Sequence, residues 1–560
     1  MKFALAAMLV SGLFACPASA QESSSAPHNI IIFVADGLRY GSVDQTNMPN
    51  MARLKAQGVD FTNSHSLFPT VTTVNASAIA TGHYVGDTGD FGNIIFTGQP
   101  MQSLKGGTLG FLENDRLLTE MNQKFGGNYL GETTLIAAAR AHGWQTAIIG
   151  KEGAARIQDS TATPDQTLIV DDKTGGADGL AMPTWFDAGM KNAGLVPPLP
   201  PASVPDIAQE DWMSKAATQV VLPHFKSGAK PFVLLFWSRD PDFSQHNGKD
   251  SIGSTMPGIN GPSGKAGTRN ADTRLGELLK ALKAQGLDKT TDVFVTADHG
   301  FTTISHASAG RADLPSSFLS ADLATHLNLP QHSGLLGKDP AHPQVVVAAD
   351  GNSDQIYLPG AGAQDRAAAI VSFLLDQNYV SGIFVNDSLG RIRGTLPMSM
   401  LNLIGSARTP VPAIYVNFRS SSACANALQC TVGVSDTPLA TGQGNHGGFS
   451  RAETRNFMAA MGPDFKKGFA DPAPVSNADI APTLAQIMGF ALPARGKLAG
   501  RVASEALLGG KPVQVEKHRV VSEPDPNTGL TTVLEGQSVG DTRYFDAAGF
   551  DGRTAGLTAN

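Results

Sequence analysis

Charge, cysteine and long apolar stretches are all scarce in this chain. Only 16% of its 560 residues are charged, 42 Lys or Arg against 49 Asp or Glu, so the net charge is −7. With no block of basic residues, there is no electrostatic footprint for nucleic acid, and binding a polyanion as a scaffold is not expected. A mildly acidic chain can still handle phosphate where bound cations supply the positive field locally. After residue 20 no apolar run approaches the roughly eighteen residues a membrane span requires, so no transmembrane segment is expected. What is plentiful is apolar side chain, 41% of the total, which at this length builds a large core and excludes disorder as the main state.

The first twenty residues read as a secretion signal. Lys2 is a short basic start, residues 3–14 are apolar, and Ala18-Ser19-Ala20 is a small-residue cleavage site before Gln21. Leu13-Phe14-Ala15-Cys16 offers a rival, cleavage before a lipidated Cys16, which bulky Phe14 disfavours. The expected product is periplasmic or secreted. It keeps two of the three cysteines, Cys424 and Cys430, and in an oxidising compartment these are expected to form one local disulfide rather than two free thiols.

Short, nearly continuous apolar runs at 30–35, 146–149, 232–237 and 293–297 predict strands buried on both faces. Helical patterns at 50–57 and 135–142 end at Gly58 and Gly143, and Leu275, Leu278, Leu279 and Leu282 share one helix face that Gly286 closes. The fold class is therefore α/β: a doubly wound, mostly parallel sheet flanked by helices. Residues 194–206 read as an extended connector and 252–267 as a Gly/Ser/Pro loop. Further strands at 344–349, 382–385 and 413–418, with a helix at 366–377, predict an inserted cap over residues 301–445 within one catalytic domain, 21–560. The tail after residue 514 carries no recognisable chemistry.

In open α/β sheets ligands sit beyond the carboxyl ends of the strands. Asp36-Gly37 ends the first strand, Asp242 with His246 four residues on follows the third, and Asp298-His299-Gly300 ends the fourth. Carboxylates and imidazoles converging on one edge suit zinc and similar dications, and without cations the carboxylates would repel one another. Alone, each of these residues has a bland reading as a cap or turn; their joint placement gives the pattern its weight.

Phe68-Pro69-Thr70-Val71-Thr72-Thr73-Val74-Asn75, followed by Ala80-Thr81-Gly82 and Phe91-Gly92-Asn93, completes the set. Together with the Asp and His motifs, Gly444-Asn445-His446-Gly447-Gly448 and a closing segment from Ser476 to Leu484, it resembles the alkaline phosphatase superfamily. The nearest likeness is to its nucleotide pyrophosphatase/phosphodiesterase branch. The resemblance implies two divalent ions, zinc by preference: one on Asp242, His246 and His446, the other on Asp36, Asp298, His299 and the Thr72 oxygen. Thr72 would be the nucleophile and Asn93 a donor to a nonbridging phosphate oxygen. The implied path is a phosphothreonine at Thr72, then hydrolysed by water, on a small phosphate ester or nucleotide.

Lys151 leaves two readings open. It could reach the phosphate, or it could be a surface lysine paired with Glu152. In the threonine-type phosphatases of the superfamily a Lys-x-Arg pair reads the monoester dianion, whereas this chain has Lys151-Glu152-Gly153 and then Arg156. That departure favours a phosphodiesterase or nucleotide pyrophosphatase, with a phosphomonoesterase as the alternative and a noncatalytic metal-binding protein as a remote third. Gly442 to Gly447 fits G-x-G-x-x-G but follows no strand and contains His446, so dinucleotide binding is not expected.

Overall fold

A computed structural model describes residues 28–309, 314–424 and 428–558. The expected secretion signal, residues 1–20, and with it Cys16, lies outside the described residues. The central sheet has eight strands: β1 (Asn29–Ala35), β2 (Val59–Phe61), β3 (Gln145–Gly150), β4 (Leu168–Asp171), β5 (Phe232–Ser238), β6 (Thr291–Thr296), β7 (Met458–Met461) and β8 (Phe469–Asp471). Their spatial order is β8-β2-β7-β6-β1-β5-β3-β4. The run from β6 to β4 is parallel throughout, and β7 is antiparallel to both of its neighbours.

Alternation along β1 explains why its apolar run is continuous. Ile30, Ile32 and Val34 enter one core, while Ile31, Phe33 and Ala35 enter another on the opposite face. Helices cover both. On the first face lie α2 (Thr72–Thr81), α3 (Leu135–Ala141) and α6 (Ile480–Met488); on the second lie α1 (Pro49–Gln57) and α5 (Pro262–Gln285). A short helix, α4 (Asp242–Asn247), follows β5. The chain is thus the doubly wound α/β protein its sequence predicts.

The loop expected over residues 252–267 is shorter than read. A 3-10 turn, Gly258–Asn260, is followed at once by α5, which starts at Pro262. Proline at a first helical position costs nothing because its missing N–H would be unpaired there, so the Gly/Ser/Pro composition hid a helix start. Cys424 and Cys430 form a disulfide.

A second, seven-stranded sheet lies between residues 331 and 418, with helices Phe318–Leu327 and Ala363–Leu375 packed on it. It is joined to the layer that carries α2: the Phe68 ring stacks on Phe449 at 4.2 Å and meets Tyr415 at 5.5 Å, and the Tyr415 hydroxyl donates to the Phe91 carbonyl. The tail forms an antiparallel three-stranded sheet, Glu516–Val521, Thr532–Val539 and Thr542–Phe550, whose Phe545 and Ala548 enter the first core. No helix among the described residues is long and apolar enough to cross a membrane.

Candidate active site

Because β6, β1 and β5 are adjacent and parallel, their carboxyl ends bring Asp298, Asp36 and Asp242 to one place. The turn after β1 needs glycine: Gly37 has φ +69°, and a Cβ there would lie 2.8 Å from the Phe301 ring. That conformation lets the Gly37 amide donate to Asp298 Oδ1 at 3.0 Å. One turn of α4 carries His246 back over Asp242, Nε2 to Oδ1 3.2 Å. His446 arrives on a two-residue strand, Gly444–Asn445, paired with Thr302–Ile304 just after His299, and the His299 and His446 rings stack at 3.6 Å.

All three imidazoles are oriented alike. His246 Nδ1 faces the Gly444 carbonyl, His299 Nδ1 that of Gly300 and His446 Nδ1 that of Thr70, each at 2.9 Å. A carbonyl only accepts, so each Nδ1 carries a proton, and where the ring is neutral Nε2 offers a lone pair; burial pulls His246 down, but the Asp242 carboxylate outweighs it and raises that ring. Burial holds His299 and His446 down to about 3, which keeps them neutral at pH 7. Their lone pairs face carboxylate oxygens: His299 Nε2 is 3.2 Å from Asp298 Oδ2 and 3.6 Å from Asp36 Oδ1, and His446 Nε2 is 3.4 Å from Asp242 Oδ1. Those three oxygens are buried and accept no hydrogen bond.

Lone pair facing lone pair at this range is relieved by a proton on one partner or by a cation between them. Ligands at about 2.0–2.2 Å from a tetrahedral ion sit about 3.3–3.6 Å from one another, close to the spacing seen. Two groups satisfy the metal-site geometry here, Asp36 with Asp298 and His299, and Asp242 with His299 and His446. The first is the set expected from sequence. The second holds Asp242 and His446 of the other expected set together with the adjoining His299, and His246, the third member expected there, has Nε2 3.2 Å from Asp242 Oδ1. Two other His/acid clusters are of another kind. His28 and Asp464 meet at 2.6 Å in a hydrogen bond, and the carboxylates beside His83, those of Asp87 and Glu132, accept main-chain amides of Ser406, Leu498, Arg495 and Gly496. These are structural clasps.

The acids respond to the same surroundings. Burial raises Asp36 despite the Lys151 charge, and burial together with Asp36 raises Asp298 well above the carboxylate range. Burial would raise Asp242 too, but the His246 and Lys151 charges outweigh it and hold it well below that range. An anion-rich pocket that cannot ionise fully on its own is what a pair of cations would relieve.

Thr72 opens α2 and is fully buried at this edge, Oγ1 3.3 Å from His299 Nε2 and 3.4 Å from Lys151 Nζ. Thr70 and Thr73 are committed elsewhere, their hydroxyls donating to the Gly448 and Gly92 carbonyls. Asn93 accepts the Thr73 amide on Oδ1, which turns Nδ2 toward the site. Gly92 keeps that loop close: a Cβ would lie 1.9 Å from Asp350 Oδ2 of the second sheet region.

Lys151 is not a surface residue. It is buried, Nζ 3.1 Å from Asp36 Oδ2, 3.1 Å from Glu113 Oε1 and 3.6 Å from Asp242 Oδ2, and these charges raise its pKa well above that of an ordinary lysine although burial alone would lower it. Glu152 pairs instead with Lys173. Arg156 donates to the Ala162 carbonyl.

Three supporting residues escaped the sequence reading. Trp237 Nε1 donates to Asp36 Oδ2 at 2.8 Å, and its place near the end of β5, opposite Val34 and so two positions from Asp36, is the signal that could have found it. Asn477, just before α6, ties Asn75 Oδ1 and the Asp298 carbonyl together through Nδ2. Glu113 reaches Lys151 from a hairpin that periodicity alone does not reveal.

A helix-borne threonine beside clustered carboxylates and imidazoles at the carboxyl edge of a doubly wound sheet defines the class: phosphoric-ester hydrolases. The chain belongs to the type I phosphodiesterase / nucleotide pyrophosphatase family, whose profile matches residues 30–360, more than half of its length. A search of curated proteins finds no match to it. The enzyme is a phosphoric-ester hydrolase of a metal-dependent family, with His/Asp clusters that can hold metal.

Proposed function

We propose that this hydrolase is an exported two-metal phosphodiesterase of nucleotide-pyrophosphatase type that works through a phosphothreonine at Thr72. One observation carries the reading: of the three threonines in the motif, Thr72 alone has its hydroxyl against His299 and Lys151 rather than spent on a main-chain carbonyl. Asp36, Asp298 and His299 would hold one ion and Asp242, His246 and His446 the other, with the Thr72 oxygen joining the first. Zinc suits this mix of nitrogen and carboxylate donors. When bound, the ions would supply Lewis-acid stabilisation of the phosphoryl oxygens and make the threonine alkoxide accessible near neutral pH.

The chain's own groups do the rest. Thr72 Oγ1 gives up its proton and attacks phosphorus, and the bond to the leaving oxygen breaks as that oxygen takes up a proton; water then cleaves the Thr72 ester, releasing a phosphomonoester from a diester substrate and restoring the hydroxyl. Asn93 Nδ2 donates to a nonbridging oxygen, and the amino end of α2 favours the anion there. Substrate enters past His246, Glu113 and Lys151, whose side chains keep 21%, 12% and 10% of their surface.

Gly153 favours diesters. It occupies the position of the arginine in the monoester-reading pattern, has φ +72°, and a Cβ on it would lie 2.4 Å from Glu113 Cα, so no arginine fits. Lys151, 3.4 Å from Thr72, favours the second reading, a phosphomonoesterase. The Cys424–Cys430 disulfide supports export. We also infer that residues 301–445 are an insertion into one catalytic domain.

Hydrolysis of p-nitrophenyl phosphate and bis-p-nitrophenyl phosphate, each with and without chelator, tests the reading. Faster hydrolysis of the bis-ester, lost on chelation and restored by zinc, is the expected result. Faster hydrolysis of the monoester would move the protein to the second reading, and no turnover of either with metal bound would make it a binding protein.

A further inference from the structure

Glu113 touches both side chains that flank the phosphoryl position and belongs to neither metal-ligand set. Its Oε1 is 3.1 Å from Lys151 Nζ and 3.5 Å from Asn93 Nδ2. An antiparallel hairpin, Ile94–Met101 and Gly107–Phe111, puts it there: Ile94 pairs with Phe111, and the Leu112 amide donates to the Asn93 carbonyl at 2.7 Å, so the chain returns to the site one residue before Glu113.

The balance of charge around Lys151 gives this contact its meaning. Three carboxylates surround the ammonium, but Asp36 and Asp242 are also the acids whose unbonded Oδ1 atoms face the imidazoles. With those two turned toward cations, Glu113 is the acid left to compensate Lys151. We propose that Glu113 is a specificity-determining residue that cancels the Lys151 charge beside Thr72 and so selects phosphoryl groups bearing one negative charge over those bearing two. The proposal rests on the diesterase reading above.

A phosphodiester is a monoanion, whereas a phosphomonoester above neutral pH is a dianion. A free ammonium next to the reacting phosphorus would reward the second charge. An ammonium already matched by a carboxylate keeps its hydrogen-bond geometry and contributes little net field. Both groups are nearly enclosed, 12% and 10% exposed, so solvent screens the difference poorly. The same carboxylate faces Asn93 Nδ2 and orients that amide.

Glu113→Gln keeps the shape and removes the charge, while Glu113→Asp keeps the charge with a shorter reach. The measurements are kcat/KM for the mono- and bis-nitrophenyl esters and the inhibition constant of inorganic phosphate, with zinc bound and at one pH well above 7, because burial pushes the Glu113 carboxyl up to about 7 and it must be ionised to offset Lys151. Glu113→Gln is expected to raise the monoester-to-diester ratio about tenfold and to tighten phosphate inhibition by a similar factor, the scale of one poorly screened charge. Glu113→Asp is expected to keep the wild-type ratio. An unchanged ratio in Glu113→Gln, or a parallel loss on both esters in both variants, overturns the proposal. Glu113→Ala, read in the same way, decides it if the glutamine variant does not fold. A wild-type enzyme that prefers the monoester would overturn the diesterase reading alone, since the direction of the shift on removing the charge still judges Glu113.

Discussion

Trp237 shows how much of this site is held by groups that touch no substrate. Its indole N–H fixes the Asp36 oxygen opposite the one that faces His299, so Trp237→Phe should leave the fold intact and weaken zinc affinity about 10–100-fold. Competition with a chelator of known affinity measures this; unchanged affinity would reduce the indole to packing. Gly153 makes a second prediction. With φ +72° and only 2.4 Å between the Glu113 Cα and the place a Cβ would take, Gly153→Ala should cost about 1–3 kcal/mol in denaturant unfolding, whereas a neutral outcome would mean the turn relaxes freely. The convergence of Asp36, Asp242 and Asp298 was legible because each follows an apolar run that becomes a strand of one sheet, whereas Thr72, Asn93 and His446 could be singled out only through the motif resemblance. Trp237, Asn477 and Glu113 were not legible, because each acts through a contact between segments that only pairing in three dimensions brings together.

Elements were legible where their period was unambiguous. β1, β5 and β6 announced themselves as apolar runs, and α5 by its leucine face, yet its first turn was hidden because Pro262-Ser263-Gly264 has the composition of a loop. The tail gave no chemical signal, but its three strands bind the catalytic layer through Asp546. That carboxylate accepts from His65 at 2.8 Å and from Gln537 at 2.9 Å and lies 3.6 Å from Arg451. Burial would raise its pKa, but these partners outweigh it and hold it at about 2 against an ordinary 3.8. A carboxyl depressed on folding stabilises the native state above its unfolded pKa, and the gain is lost as pH falls from about 4 through about 2. Asp546→Asn should therefore cost about 2 kcal/mol at pH 7 and flatten the acid limb of the stability curve in that window. Urea titrations at pH 7, 4 and 2 check it; an equal loss at all three pH values would assign the effect to shape rather than charge.

At the scale of the whole molecule, scarcity of charge takes on a different sense. The sequence has no block of basic residues to gather phosphate; the fold gathers acids instead, at an edge where three parallel strands end together. Two cations there would turn an anionic pocket into an anion-binding one, with Lys151 and Glu113 setting how much charge it accepts. In the proposed reaction Thr72 carries the phosphoryl group between substrate and water. The direct measurement is rapid acid quenching of the zinc-loaded enzyme during turnover, followed by mass spectrometry of its peptides. One phosphoryl group on Thr72, still bearing the ester group that a diester substrate retains, absent from a Thr72→Ala variant whose turnover has fallen by about three orders of magnitude or more while zinc stays bound, is the predicted result. A phosphoryl group on Thr70 or Thr73, or full zinc-dependent turnover in Thr72→Ala, would contradict it.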